Sequence, residues 1–150
     1  MQEAINTAFE GMRRNGGGPF GAVVIKNGEI VGKGSNCVTQ NNDPTAHAEV
    51  VAIRDACKKL GSFQLDGCEI YTSCEPCPMC LGAIYWARPD KVYYACNKDD
   101  AADSGFDDAF IYKELALPLS ARKVPFVQMS RAEALEIFAE WDDMEDKTEY

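Results

Sequence analysis

Two short runs, Thr45-Ala46-His47-Ala48-Glu49 and Pro76-Cys77-Pro78-Met79-Cys80, constrain the fold more than anything else in the chain. Each stands at the start of a stretch with helical periodicity, and together they lie on successive strand-to-helix crossings. A three-residue spacing at a helix start turns Cys77 and Cys80 to one face, within chelating reach. The positive end of a helix favours thiolates over thiols, and thiolates bind zinc. His47 is the chain's single histidine. Two sulfurs and one imidazole form a plausible catalytic zinc set, with a fourth tetrahedral position open to water.

The rest of the pattern fits one α/β domain spanning residues 1–150, a usual domain length. Ile5, Ala8, Phe9 and Met12 can share one face of a first helix, stopped by Gly16-Gly17-Gly18-Pro19. Phe20 to Lys26 and Glu29 to Lys33 read as strands joined by the two-residue turn Asn27-Gly28. A helix capped at Thr45 runs to Gly61, a strand covers Glu69 to Thr72, and a helix starting near Pro76 and Pro78 ends around Arg88-Pro89. Lys91 to Ala95 gives another strand, Phe126 to Met129 a fifth, and Ala132 to Trp141 a terminal helix. That order predicts a central mixed sheet of about five strands with helices on both faces.

Charge and thiols narrow the partners. Fifteen basic against 24 acidic residues leave a net charge of −9, a field that repels phosphate backbones, so nucleic acid is a disfavoured partner. No apolar run reaches the roughly 18 residues of a membrane span. Seven cysteines, an odd number, without a signal-like N-terminus predict reduced thiols or metal ligands rather than a disulfide framework, and a cytoplasmic location. Cys37, Cys57, Cys68 and Cys96 read as small buried hydrophobes.

A metal-bound water becomes a nucleophile near neutral pH. Glu49 lies two residues from His47, placed to carry protons without being a ligand. Such a pair suits replacement of an amino group on an electron-poor ring carbon. Cys74 could instead close the fourth metal position and make the site structural. A metal domain that only binds or assembles therefore remains open beside an enzyme.

Taken together, the His-x-Glu and Pro-Cys-x-x-Cys runs are a signature of zinc deaminases, and here the sequence resembles the cytidine and deoxycytidylate deaminase superfamily. Within it the similarity is greatest to the bacterial guanine deaminases. It extends through Gly18 to Ala22, Asn42 to Glu49 and Tyr71 to Pro89, and its narrower part rests on Ala102 to Glu114, especially Gly105 to Tyr112, and on the terminal Glu149-Tyr150. The resemblance implies a three-layer cytidine-deaminase-like fold, zinc as cofactor, and hydrolysis of guanine to xanthine and ammonia. It also implies that Asn36 and Asp108 orient the base, that Phe20 packs on it beside Ala48, and that a C-terminal segment ending in Tyr150 closes the pocket. In such proteins this segment is exchanged between the subunits of a homodimer. Deamination of cytosine, guanosine or adenosine, or of adenosine in tRNA, is the alternative.

Asn36 and Asp108 have chemistry that suits a base edge. A carboxylate accepts strongly from ring and amino N–H groups, and an amide both donates and accepts. Equally, Asp108 could cap a helix, Asn36 could hold a turn, Phe20 could belong to the core and Tyr150 could be a frayed end.

Overall fold

The computed structural model describes residues 1–150, apart from the side chain of Asn15. The chain runs through α1 (Gln2–Asn15), β1 (Gly21–Lys26), β2 (Glu29–Ser35), the single turn α2 (Val38–Asn41), α3 (Ala48–Leu60), β3 (Cys68–Cys74), α4 (Pro78–Ala87) and β4 (Lys91–Cys96). Then come α5 (Lys98–Asp103), α6 (Ala109–Leu115) and α7 (Arg131–Asp143).

The hairpin forms as its turn residues require. Asn27 and Gly28 both take positive φ, 52° and 82°, the conformation of a two-residue turn matched to strand twist. The sheet order is β2-β1-β3-β4, with β1 antiparallel to both neighbours and β3 parallel to β4. The sheet thus has four strands, not the expected five or so. Phe126 to Met129 forms no ladder. That run is short and follows Pro125, which has no N–H to give to a sheet.

Close approach of helix and strand decides which residues pack. A β-carbon at Gly32 or Gly34 would strike the backbone oxygens of Ala52 and Ala48, so α3 lies directly on β2. On that face Ala22, Val24 and Ile70 bury against Ala52 and Ala56 of α3 and Ile84 and Ala87 of α4. Burying each large aliphatic there contributes roughly 1.5–3 kcal/mol. On the other face, a side chain at Gly21 would collide with Ala4 and Ala8 of α1. Helices therefore cover both faces of the sheet, giving three layers.

The packed side of α1 is narrower than its bulky residues suggest. Ala4 and Ala8 are buried while Phe9 and Met12 are exposed, because only small side chains fit against Gly21. Contacts divide the chain into two units, residues 1–110 and 111–150. The first contains the sheet and the core. The second comprises most of α6, a short 3-10 turn at Leu119–Ala121 and α7, and none of its residues is buried. Among the described residues, no helix is long and apolar enough to cross a membrane.

Candidate active site

Two helix N-termini meet at one end of the sheet. His47 is the N-cap of α3 and Cys77 the N-cap of α4, both extended in backbone and neither using its side chain to cap. Those side chains turn toward each other instead. His47 Nδ1 lies 3.5 Å from Cys77 Sγ and 3.5 Å from Cys80 Sγ. Tetrahedral zinc with ordinary Zn–S and Zn–N bonds requires a nitrogen–sulfur separation of about 3.5 Å, so the three donors fit that ion. Pro78 at the first position of α4 has no N–H to leave unsatisfied and fixes the turn that brings Cys77 and Cys80 together.

The start of α3 is set two residues later than the Thr45 cap predicts. Thr45 gives both its N–H and its hydroxyl to Asp43 Oδ1, at 2.8 and 2.7 Å. Asp43 thus closes the preceding turn, and its carboxyl is held below the usual range by these bonds from Thr45. Cys37 N–H reaches Ala46 O at 2.9 Å and ties this approach to the end of β2.

The titrating groups describe a place made for a cation. The hydrogen bond with Cys80, with help from His47, brings the Cys77 thiol down to about 4 despite its burial. Cys80 is pushed up, first by its bond to Cys77 and then by burial. His47 is raised by its bond to Cys77. An easily formed thiolate beside a second sulfur and an imidazole is a donor set that a soft divalent ion suits.

Glu49, the second residue of α3, is only 6% exposed. Its Oε2 accepts from the Cys80 thiol at 3.4 Å, and burial raises its pKa above the ordinary carboxylate range. Cys74 stands apart from the three donors. Among the described residues, the cluster able to hold a metal is His47, Cys77 and Cys80 alone. The Cys74 thiol points to Asn97 O at 3.5 Å, and burial pushes it up to about 11, which keeps its proton in place. The fourth metal position therefore has no protein donor among the described residues.

A cleft opens over this cluster, lined by Phe20, Asn36, His47, Glu49, Cys74 and Cys77 and completed by Glu75, Lys98, Ala101, Phe106 and Asp108. Asn36 is 8% exposed, and its Oδ1 accepts from Gly18 N–H at 3.2 Å and Val38 N–H at 3.3 Å. The acceptor is thus committed to the backbone, and the amide N–H groups are what the side chain offers the cleft. Phe20 is half-buried, and its ring meets Phe106 edge to face, 4.9 Å between centroids. Asp108 lies in the wall with its pKa raised by burial and then by Cys77, while Asp107 caps the following helix by accepting from Ala109 N–H at 2.8 Å.

Two expected residues differ from this group. The methyl group of Ala48 belongs to the core, so only its main chain can face the cleft. Tyr150 belongs to the second unit, where it is exposed. The sequence reading missed Glu75, Lys98, Ala101 and Phe106. One signal existed for two of them. Asn97 and Asp100 form a reciprocal capping box at the start of α5, and this helix carries Lys98 and Ala101 to the cleft. Of the four cysteines expected to be buried, Cys68 is, Cys37 and Cys57 are half-buried, and Cys96 is exposed because β4 is an edge strand.

Comparison with known proteins places this architecture. The cytidine and deoxycytidylate deaminase zinc-binding region matches residues 1–96. The chain is 57% identical over 150 residues to the guanine deaminase of Bacillus subtilis, covering all of this chain and 96% of that protein. The crystal structure of a Bacillus subtilis guanine deaminase superposes with a TM-score of 0.96 over 99% of this chain and 95% of that one, also at 57% identity. A tRNA-specific adenosine deaminase of Bacillus subtilis is 39% identical over 105 residues, covering 70% of this chain and 65% of that protein.

Proposed function

The chain belongs to the cytidine and deoxycytidylate deaminase family, on its guanine deaminase branch, and from that premise we propose that it hydrolyses guanine to xanthine and ammonia. The observation that carries this reading is the 57% identity to a guanine deaminase over the full 150 residues, which continues past residue 96, where the general deaminase match ends. The identity to a tRNA deaminase covers only 70% of the chain, and a charge of −9 is unsuited to gripping an RNA backbone.

His47, Cys77 and Cys80 hold zinc. When bound, zinc supplies a water-derived nucleophile at neutral pH. Glu49 takes a proton from the attacking water and passes it to the amino nitrogen that leaves carbon 2 of guanine as ammonia. A carboxylate whose pKa burial raises is suited to both halves of that transfer. Asn36 donates to acceptors of the base, Asp108 accepts from its N–H groups, and Phe20 packs against the ring while Phe106 fixes the Phe20 edge. The main chain at Ala48 borders the same space.

The protein works as a single 1–150 domain in a cytoplasmic homodimer. Its C-terminal segment is exchanged between subunits, and Tyr150 closes the pocket. The odd number of cysteines, seven, supports a reducing compartment. A spectrophotometric assay with ammonia detection tests the substrate. Guanine should be consumed far faster than cytosine, adenosine or guanosine; preference for one of those would overturn the reading.

A further inference from the structure

One wall of the cleft hangs on a helix that buries nothing. α5 is six residues long and has no buried residue, yet it supplies Lys98 and Ala101 to the lining. The chain then turns back on it, Phe106 N–H donating to Ala101 O at 3.0 Å, and Phe106 and Asp108 complete the same wall. Any helix leaves its first four N–H groups in need of acceptors. Three are met here from within the segment: Asn97 Oδ1 accepts from Asp99 and Asp100 N–H, and Asp100 Oδ2 accepts from Asn97 N–H, all at 2.9 Å. The fourth, Lys98 N–H, is met from outside, by Glu75 Oε2 at 3.1 Å.

Glu75 stands between this wall and the metal donors. It follows Cys74, the last residue of β3, and precedes the Pro76-Cys77 run that carries one of those donors. Its own N–H donates to Cys96 O at 2.8 Å, at the end of β4. The backbone of Glu75 is thus fixed on the sheet before its side chain reaches α5. A carboxylate at the positive end of a helix is favoured by the dipole as well as by the bond it accepts. Both partners lie within residues 1–110, the unit that contains the sheet.

We infer that Glu75 is a positioning residue: it locks α5 to the metal-binding loop and thereby sets where Phe106 and Asp108 stand relative to the zinc donors. It acts through its bond to Lys98 N–H and takes no part in the proton transfer. The inference rests on the proposed reading of the cleft, since Asp108 and Phe106 are what turn placement into affinity for guanine. Misplacing a group that holds the substrate costs efficiency even when the reacting groups are intact. Loss of the Glu75 carboxylate therefore weakens substrate binding and leaves zinc in place.

The test compares the zinc-loaded protein with Glu75→Ala, Glu75→Gln, Lys98→Ala and Lys98→Pro, by zinc content, guanine kinetics and hydrogen exchange over residues 98–108. Glu75→Ala should raise KM about ten-fold, change kcat less than about three-fold and keep its zinc. Exchange over 98–108 should quicken, as it does where a segment opens locally. Glu75→Gln keeps an acceptor oxygen and should recover most of the KM. Lys98→Pro removes the donor itself. Proline is tolerated at a first helical position, and Asn97 already has the extended backbone, φ −94° and ψ 175°, that a following proline requires. Measured against Lys98→Ala, which corrects for the lost side chain, Lys98→Pro should match Glu75→Ala, and combining the two should cost little more than either. The inference is overturned if Glu75→Ala loses zinc or falls mainly in kcat, if Glu75→Gln is as impaired as Glu75→Ala, or if the combined losses multiply. Exchange needs no substrate. Quickened exchange in Glu75→Ala, with no guanine turnover by the unaltered protein, would uphold the lock and refute guanine; unchanged exchange would refute the lock.

Discussion

The two walls of the cleft are built differently. The metal wall, His47, Glu49, Cys77 and Cys80, stands on the first turns of α3 and α4, helices whose far sides pack into the core through Ala52, Ala56, Ile84 and Ala87. Its side chains bond one another at 3.4 to 3.5 Å. The base wall, Phe20, Asn36, Phe106 and Asp108, comes from segments next to strands and helices, held by loop bonds such as those from Gly18 and Val38 N–H to Asn36 Oδ1. Under the proposed function, chemistry that must not move is carried by helix ends, and recognition by segments that tolerate change. The contrast predicts that substitutions in the first wall abolish turnover, whereas those in the second redistribute affinity.

Glu49→Gln strikes the metal wall hardest. It keeps the shape and removes the proton carrier, so kcat should fall on the order of 10² to 10⁴-fold with zinc content unchanged by metal analysis. A loss of zinc instead would mean that Glu49 serves the metal site structurally. In the base wall, Asp108→Asn removes a charged acceptor and should lower kcat/KM by about 100-fold, mostly through KM. The pH profile sharpens that case. Because burial and Cys77 raise the Asp108 pKa, the carboxylate gains its proton at a higher pH than an ordinary aspartate does. The acid limb of kcat/KM therefore begins to fall at a higher pH, and Asp108→Asn should remove that contribution.

Asn36→Asp probes the amide more gently. Both acceptor pegs to Gly18 and Val38 survive, while the donors to the base are lost, so folding should persist and kcat/KM drop about ten-fold. An unchanged kcat/KM would show that Asn36 only holds its turn. The smallest effect is expected from Phe106→Leu. Losing one edge-to-face contact, worth roughly 0.5–1.5 kcal/mol, should raise KM a few-fold with kcat nearly constant.

Sequence made the metal wall legible because its spacing is chemical: His47 to Glu49 and Cys77 to Cys80 mean little except on adjoining helix starts. The Asn27-Gly28 hairpin was legible for the same reason, since few residue pairs accept two positive φ values. The base wall was not. Phe106 and Glu75 reach the cleft only through the tertiary path of their segments, and no periodicity marks them. α1 misled in another way. Bulk draws attention to Phe9 and Met12, yet the sheet accepts only Ala4 and Ala8 where Gly21 lies beneath. Cys74 could be weighed from sequence but not resolved, because only its direction toward Asn97 separates it from the metal donors.

The most direct test of the whole account is anomalous diffraction at the zinc edge, from a crystal grown with zinc and a non-hydrolysable guanine analogue. A single metal peak held by His47 Nδ1, Cys77 Sγ and Cys80 Sγ, with Cys74 still turned to Asn97 and the base between Phe20 and Asn36, is the predicted result. A metal with Cys74 as its fourth donor, or a base bound away from Glu49, would contradict it.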